Sequence, residues 1–291
     1  MSIYNLSFLT PSNVFDRELI LDKKYSQYLT LPDESILSFA SDSGFREIQQ
    51  DSIAVCQKDN VTLLLVADGM GGLSFGETVS YITAETIQNW FKKTSTHELN
   101  IMSEDTLEKE MYTLIYIILS TIPYNSGTTL NMSLITENKT LIVNIGDSRT
   151  YTIKSGKISL ITKDDTQAFE KFKPKTSEER DKIRFYNNNH LITNAISRKK
   201  FPRVRVMTIN NEDYDIICHM TDGISDILSE STIAELCQSP NPALSLVGSS
   251  IYSPRIKGEY HLKDKQYNEY IEPGKDNATA IVYTKKYTKN N

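Results

Sequence analysis

A chain of 291 residues is long enough for one large domain or two small ones, and 39% hydrophobic with 24% charged residues excludes a disordered or membrane-embedded protein. A formal net charge of −5 argues against nucleic acid as the main partner, because backbone binding needs a basic surface, yet it leaves room for a local basic patch that meets a phosphorylated protein. The three cysteines, Cys56, Cys218 and Cys237, have no CxxC spacing, so neither a disulfide framework nor a thiolate zinc site is expected.

Residues 1–34 are polar, with scattered tyrosines and no clear period, and read as an N-terminal extension that docks on the domain formed by residues 35–291. Residues 1–10 lack a basic stretch before their apolar residues and do not read as a signal peptide. Strands are predicted at 36–40, 51–56 and 61–67, the last a nearly continuous apolar run that calls for burial on both faces. Helical spacing follows at 76–93 and 104–122, closed by Pro123; Trp90 there reads as a core anchor. Strands return at 130–136, 140–145, 149–153 and 157–161, with turn chemistry at 137–139 and 155–156. Residues 163–189 are densely charged and read as a mobile flap with one short helix near 177–185. Strands at 214–220 and 278–283 bracket helices at 231–237 and 242–251 and a polar connection at 252–275. Strands in hairpins with helices in pairs indicate an α+β fold. No apolar run approaches the roughly 18 residues of a membrane span, so a cytoplasmic protein is expected.

Four aspartates share one kind of position, at the end of an apolar strand. Asp51 precedes Ser52-Ile53-Ala54-Val55, Asp68 follows Leu63-Leu64-Leu65-Val66-Ala67, Asp222 follows Cys218-His219-Met220-Thr221, and Asp276 stands just before Ala278-Thr279-Ala280-Ile281. A carboxylate at the end of a buried strand is desolvated unless something compensates it, and a hard divalent cation with oxygen ligands does so. Gly69 and Gly223 follow two of these aspartates and allow backbone geometry in which a carbonyl can approach an ion. A single Asp-Gly pair is an ordinary turn; two that each end an apolar strand, with Asp51 and Asp276 beside them, are harder to read that way.

The order of the pieces carries a resemblance. Arg46 with Gln49-Gln50-Asp51, then Asp68-Gly69-Met70-Gly71-Gly72, Ser126-Gly127-Thr128-Thr129, Gly146-Asp147-Ser148-Arg149, Thr162-Lys163-Asp164, Thr221-Asp222-Gly223-Ile224-Ser225-Asp226 and Asp276-Asn277-Ala278-Thr279 resemble the metal-dependent type 2C serine/threonine protein phosphatases, bacterial branch. The resemblance covers residues 36–284. It implies a four-layer α/β-β/α sandwich of two antiparallel sheets covered by helices. It also implies hydrolysis of phosphoserine and phosphothreonine in proteins by a metal-activated water. By matching positions, Asp51, Asp68, the carbonyl of Gly69, Asp222 and Asp276 would hold two core ions, Mn2+ or Mg2+. Asp147 with Asp222 would hold a possible third, and Arg46 would bind the substrate phosphate, a task suited to the planar guanidinium fork. The flap at 163–189 lies where bacterial members carry theirs. A cognate kinase as signalling counterpart, phosphoprotein substrates and a monomeric state complete the expectation.

Five positions depart from the family pattern. Gln50 replaces an acidic residue of animal members, Met70 a histidine proposed there as general acid, and Leu73 a frequent histidine. Asp165 replaces the usual histidine after Asp164, and Asn194-Ala195-Ile196-Ser197 lacks the usual arginine and glycine. None removes a core ligand. Rival readings are a phosphoprotein-binding pseudoenzyme, a calcium-binding module, which would show clustered Asp-x-Asp-x-Asp loops, and a hydrolase of small phosphate esters.

Overall fold

The computed structural model describes residues 7–9, 24–31, 33–70, 75–258 and 270–286. Two six-stranded antiparallel sheets dominate. The first runs, edge to edge, Ser7–Leu9, Asp51–Lys58, Val61–Asp68, Leu130–Ile135, Lys139–Ile145 and Arg205–Asn210. The second runs Lys157–Leu160, Arg149–Lys154, Ile216–Met220, Ala278–Thr284, Ile36–Asp42 and Lys24–Thr30.

Alternation within the apolar runs explains the layering. In Val61–Asp68, Leu64 and Val66 join Leu37, Phe39, Ile217 and Ile281 in the core between the sheets. Leu63, Leu65 and Ala67 join the outer core under the helices Gly76–Lys93 and Glu104–Thr121. Successive side chains of a strand point to opposite faces, so one unbroken hydrophobic stretch serves two cores. The second sheet is covered by the helix Pro242–Tyr252, whose Ala243, Leu246, Val247 and Ile251 pack on Cys218, Met220, Ala280 and Val282. Each fully buried Leu, Ile or Phe in these layers contributes about 1.5–3 kcal/mol. All three cysteines are free and buried, and the indole of Trp90 packs against the outer core while Nε1 donates to Glu110 at 3.1 Å.

Strands not read from the sequence lie at sheet edges. Lys24–Thr30 pairs along its whole length with Ile36–Asp42, so part of the segment read as an extension is a strand of the second sheet. Its burial alternates, with Tyr25, Gln27 and Leu29 inward, but polar Ser26, Gln27 and Thr30 blur that pattern in the sequence. Arg205–Asn210 forms the far edge of the first sheet, half-exposed along its length. The charged stretch 163–189 holds two helices, Gln167–Phe172 and Ser177–Ile183, around a small core of Ala168, Phe169, Ile183 and Tyr186. No helix among the described residues is long and apolar enough to cross a membrane.

Register positions the site. Asp51 opens its strand directly opposite Asp68, which closes the neighbouring one. In the second sheet, Met220 at the end of its strand pairs with Arg149 at a strand start and with Ala280, near the start of Ala278–Thr284. The antiparallel order therefore brings the segments 46–51, 68–70, 146–149, 221–226 and 274–277 to one end of the sandwich.

Candidate metal centre

Asp51 and Asp147 are buried; Asp68, Asp222 and Asp276 are half-buried at the rim of the same end. Thr221 Oγ1 donates to Asp51 Oδ2 at 3.0 Å, but among the described residues Asp51 Oδ1, Asp147 Oδ1 and Asp222 Oδ1 have no hydrogen-bond partner. Three buried carboxylate oxygens without donors are a costly arrangement for an apolar surrounding.

The carboxyls hold one another's protons. Burial, together with repulsion from Asp276 and Asp222, pushes Asp51 up to about 7. Burial and the neighbouring Asp51, Asp222 and Asp276 push Asp68 well above the usual carboxylate range. Asp222 rises to about 6 through burial and the charge of Asp226. Asp276 rises to about 6 through burial and Asp222, against the pull of Arg46. Burial and Asp222 raise Asp147 well above its ordinary value. Groups that repel one another in this way accept a shared cation readily.

Among the described residues, no three or more His, Cys, Asp or Glu side chains stand together as a preformed metal-holding group. Asp222, Asp226 and Asp276 instead line an open cleft, with Asp51, Asp68 and Asp147 at the same end of the sandwich. That suits magnesium or manganese, which bind through few carboxylates and keep several waters, better than a metal needing an all-protein cage. The donor set is oxygen throughout and includes buried oxygens without a hydrogen-bond donor, so the residues present fit hard divalent ions.

Gly69 and Gly223 both stand where another backbone segment passes close by. Neither has a positive φ. A Cβ on Gly69 would stand 2.3 Å from the Gly76 carbonyl oxygen and 2.6 Å from that of Gln50. A Cβ on Gly223 would stand 1.9 Å from the Asn277 oxygen. Close backbone crossing, not unusual dihedrals, excludes side chains at both positions.

Arg46 sits beside the cluster. Its Nη2 donates to Asp276 Oδ2 at 3.0 Å and its Nε to the Lys275 carbonyl at 2.7 Å. The loop that carries it is tied down by Asn277, whose Nδ2 donates to the carbonyls of Ser43 and Ile48 and whose Oδ1 accepts from Gln50 N. Asn277 is a brace for this loop through these three contacts.

Asp226 is a further acidic residue of the cleft, beyond those expected from the sequence. It lies four residues beyond Asp222, and burial with repulsion from Asp164 and Asp276 lifts it to about 6, although Arg149 and Arg184 oppose this. Asn189 Nδ2 from the flap donates to it at 2.6 Å. The spacing of Asp222 and Asp226, one helical turn, was the available signal.

The departures have structural partners. Gln50 Nε2 approaches Glu77 Oε2 at 3.5 Å, and the Gln50 carbonyl accepts from Gly69 N and Ser80 Oγ. Met70 Sδ lies against Gly127. Asp165 accepts from Gly146 N, Asn194 Nδ2, Arg203 Nη2 and Arg205, so one carboxylate ties the Asp147 turn to the segment at 194–203 and to the sheet edge. Arg149 makes a buried forked pair with Asp164, Nη2 to Oδ2 at 2.7 Å, so it is structural and not a ligand-binding arginine. Gly71, Gly72 and Leu73 lie outside the described residues.

A two-sheet sandwich with oxygen-rich carboxylates crowded at one end of its strands defines a phosphatase-like metal hydrolase. The family model for protein phosphatase 2C matches residues 45–248. The chain belongs to this family, the metal-dependent type 2C protein phosphatases. It is 24% identical over 208 residues to the serine/threonine phosphatase stp of Listeria monocytogenes, covering 69% of this chain and 82% of that protein. It is 30% identical over 188 residues to the serine/threonine protein phosphatase PstP of Mycobacterium tuberculosis, covering 63% of this chain and 35% of that one. The solved structure of PstP superposes with a TM-score of 0.62 at 25% identity, covering 85% of this chain and 97% of that one. Stp1 of Staphylococcus aureus gives a TM-score of 0.67 at 22% identity, covering 85% and 94%.

Proposed function

We propose that the chain removes phosphate from phosphoserine and phosphothreonine side chains of proteins, with Asp51, Asp68, the Gly69 carbonyl, Asp222 and Asp276 holding two Mn2+ or Mg2+ ions. The carrying observation is the set of unpartnered, mutually repelling carboxylates gathered at one end of both sheets. Asp147, with Asp222, holds a third ion. When bound, such ions lower the pKa of a water toward neutrality and offset charge on the phosphoryl oxygens.

The chain's own groups orient and select. Arg46, fixed by Asp276 and Lys275, pairs with phosphate oxygens at the mouth of the cleft. Thr221 holds one oxygen of Asp51, leaving the other without a hydrogen-bond donor and able to bind an ion. The flap lies over Asp226 through Asn189 and selects protein substrates. The enzyme works in the cytoplasm, as a monomer, as the signalling counterpart of a serine/threonine kinase.

A titration of Mn2+ and Mg2+ into chelator-treated protein tests this reading, with release of phosphate followed from a phosphothreonine peptide and from p-nitrophenyl phosphate. Activity on both that rises with either ion supports it. Activity on neither, with Mn2+ shown to bind, overturns it.

A further inference from the structure

The metal cleft does not end at the aspartates. A cleft of about 520 Å3 runs from Asp222 and Asp276 to Arg255, Glu272 and Lys275. A second recess of about 400 Å3 opens on the other side of the same three residues, lined by Phe45, Ile251, Tyr252 and Pro273. Arg255 and Lys275 both pair with Glu272, forming a charged saddle between the two.

The second recess has one apolar wall, exposed at Phe45 and Tyr252 and held from behind. Phe45 is 73% exposed and Tyr252 59%. Phe45 N donates to the Gly274 carbonyl at 2.8 Å, and its ring lies so close to Gly274 that a Cβ there would stand 2.7 Å from it. Gly274, at φ +76°, makes that turn possible. Asp42 braces this wall twice: its Oδ1 accepts from Gly44 N at 3.0 Å and its Oδ2 from Tyr252 OH at 3.0 Å. The next residue after Phe45 is Arg46, which turns the other way onto Asp276. Phe45 and Arg46 are thus docked as one unit on residues 274–276, one facing the recess and the other the metal end.

An ordered aromatic ring left in water at the rim of a catalytic cleft is a poor use of apolar surface unless a partner covers it. The occupant is set by continuity: the recess shares Arg255, Glu272 and Lys275 with the metal cleft, so a chain that places a phosphate at Arg46 and the aspartates reaches the recess across the saddle. We propose that Phe45, Tyr252 and Pro273 form a side-chain subsite of the peptide groove, taking an apolar residue that flanks the phosphorylated serine or threonine. Arg255 and Lys275 meet the peptide, negatively charged through its phosphate, on the way. This rests on the phosphatase reading above and adds the substrate class: phosphopeptides with an apolar anchor near the phosphosite.

The test compares phosphothreonine peptides of otherwise alanine and glycine sequence in which a single leucine is walked along the flanking positions, against the peptide without leucine. The wild-type protein is expected to prefer one leucine position by fivefold or more in kcat/KM. Phe45→Ala is expected to reduce that preference to within twofold, and Lys275→Ala to leave it in place while lowering use of all the peptides. Fluorescence anisotropy of the same labelled peptides on metal-free protein gives the ranking without turnover, so loss of hydrolysis on its own would count against the phosphatase reading and not against the groove. A wild-type preference under twofold at every position by both readouts, or a preference that survives Phe45→Ala in a variant with an unchanged melting curve, overturns the proposal.

Discussion

Thr221 Oγ1 donates to Asp51 Oδ2 at 3.0 Å, and this one bond joins the first strand of the metal end in one sheet to the loop that carries Asp222 in the other. Farther in, the sheets meet through an apolar core and a buried polar contact of Asn131 with Thr150 and His219. The spacing of the carboxylates therefore depends on how the sandwich closes at this end.

Loss of a carboxylate should abolish catalysis without unfolding the protein. Asp68→Ala or Asp222→Ala removes one of a set of repelling anions, so the metal-free protein is expected to melt at or above the wild-type temperature. Phosphatase activity should fall at least a hundredfold, and Mn2+ should no longer raise the melting temperature. Activity within a factor of two of wild type in either variant would sink the ligand assignment.

The same repulsion sets a pH dependence. Asp51 at about 7 and Asp222, Asp226 and Asp276 at about 6 lie above the usual carboxylate value of about 4. In that interval the folded state binds protons that the unfolded chain has released, so stability falls as pH rises from about 4 to 7. Glu230, buried but held low by Arg180, acts oppositely, and its contribution disappears only as pH falls below about 4. Metal-free protein should therefore melt several degrees lower at pH 7.5 than at pH 5, at about 2–4 °C per kcal/mol. Saturating Mn2+ should abolish or reverse that trend, because the ions bind only ionised carboxylates. A metal-free melting temperature that rises steadily from pH 5 to 7.5 would contradict the cluster.

Arg46→Ala should raise KM and lower kcat/KM on a phosphopeptide. One charge-assisted contact is worth about 1.5–3 kcal/mol, a loss of roughly ten- to 150-fold. Arg46→Lys keeps the charge on Asp276 but not the fork, and should recover only part of the loss. Steady-state kinetics that leave kcat/KM unchanged in Arg46→Ala would show that this side chain does not touch the phosphate.

The flap is fastened to the second sheet's helices by Arg180, whose Nη2 donates to Glu230 Oε2 at 2.8 Å. Glu230 is 2% exposed, so Arg180→Ala leaves a buried charge unpaired, at a cost of about 3 kcal/mol. That variant should melt roughly 6–12 °C lower. Its activity should fall far more on a phosphoprotein than on p-nitrophenyl phosphate, as should that of a protein with 163–189 replaced by a Gly-Ser linker. Equal losses on both substrates, in protein shown to be folded, would mean that the segment supports the catalytic end itself.

Strong periodicity made the interior legible from the sequence. The runs of Val61–Asp68 and Ala278–Thr284 and the helical spacing of Gly76–Lys93 each bury apolar side chains at a fixed interval, so composition alone exposes them. Asp51, Asp68, Asp222 and Asp276 could be picked out because a charge beside such a run is conspicuous. Edge strands were not legible: Lys24–Thr30 and Arg205–Asn210 are covered on one side only, and their polar residues mask the period of two. Only the tertiary structure decided what Gly69 and Gly223 are for, since a backbone crossing from residues distant in sequence leaves no local trace. The same holds for Asp226, Asn277 and Asp165, whose meaning lies in partners 29 to 229 residues away. Local pattern determines which residues are buried; the pairing of strands far apart in the chain determines which charges must share one cleft.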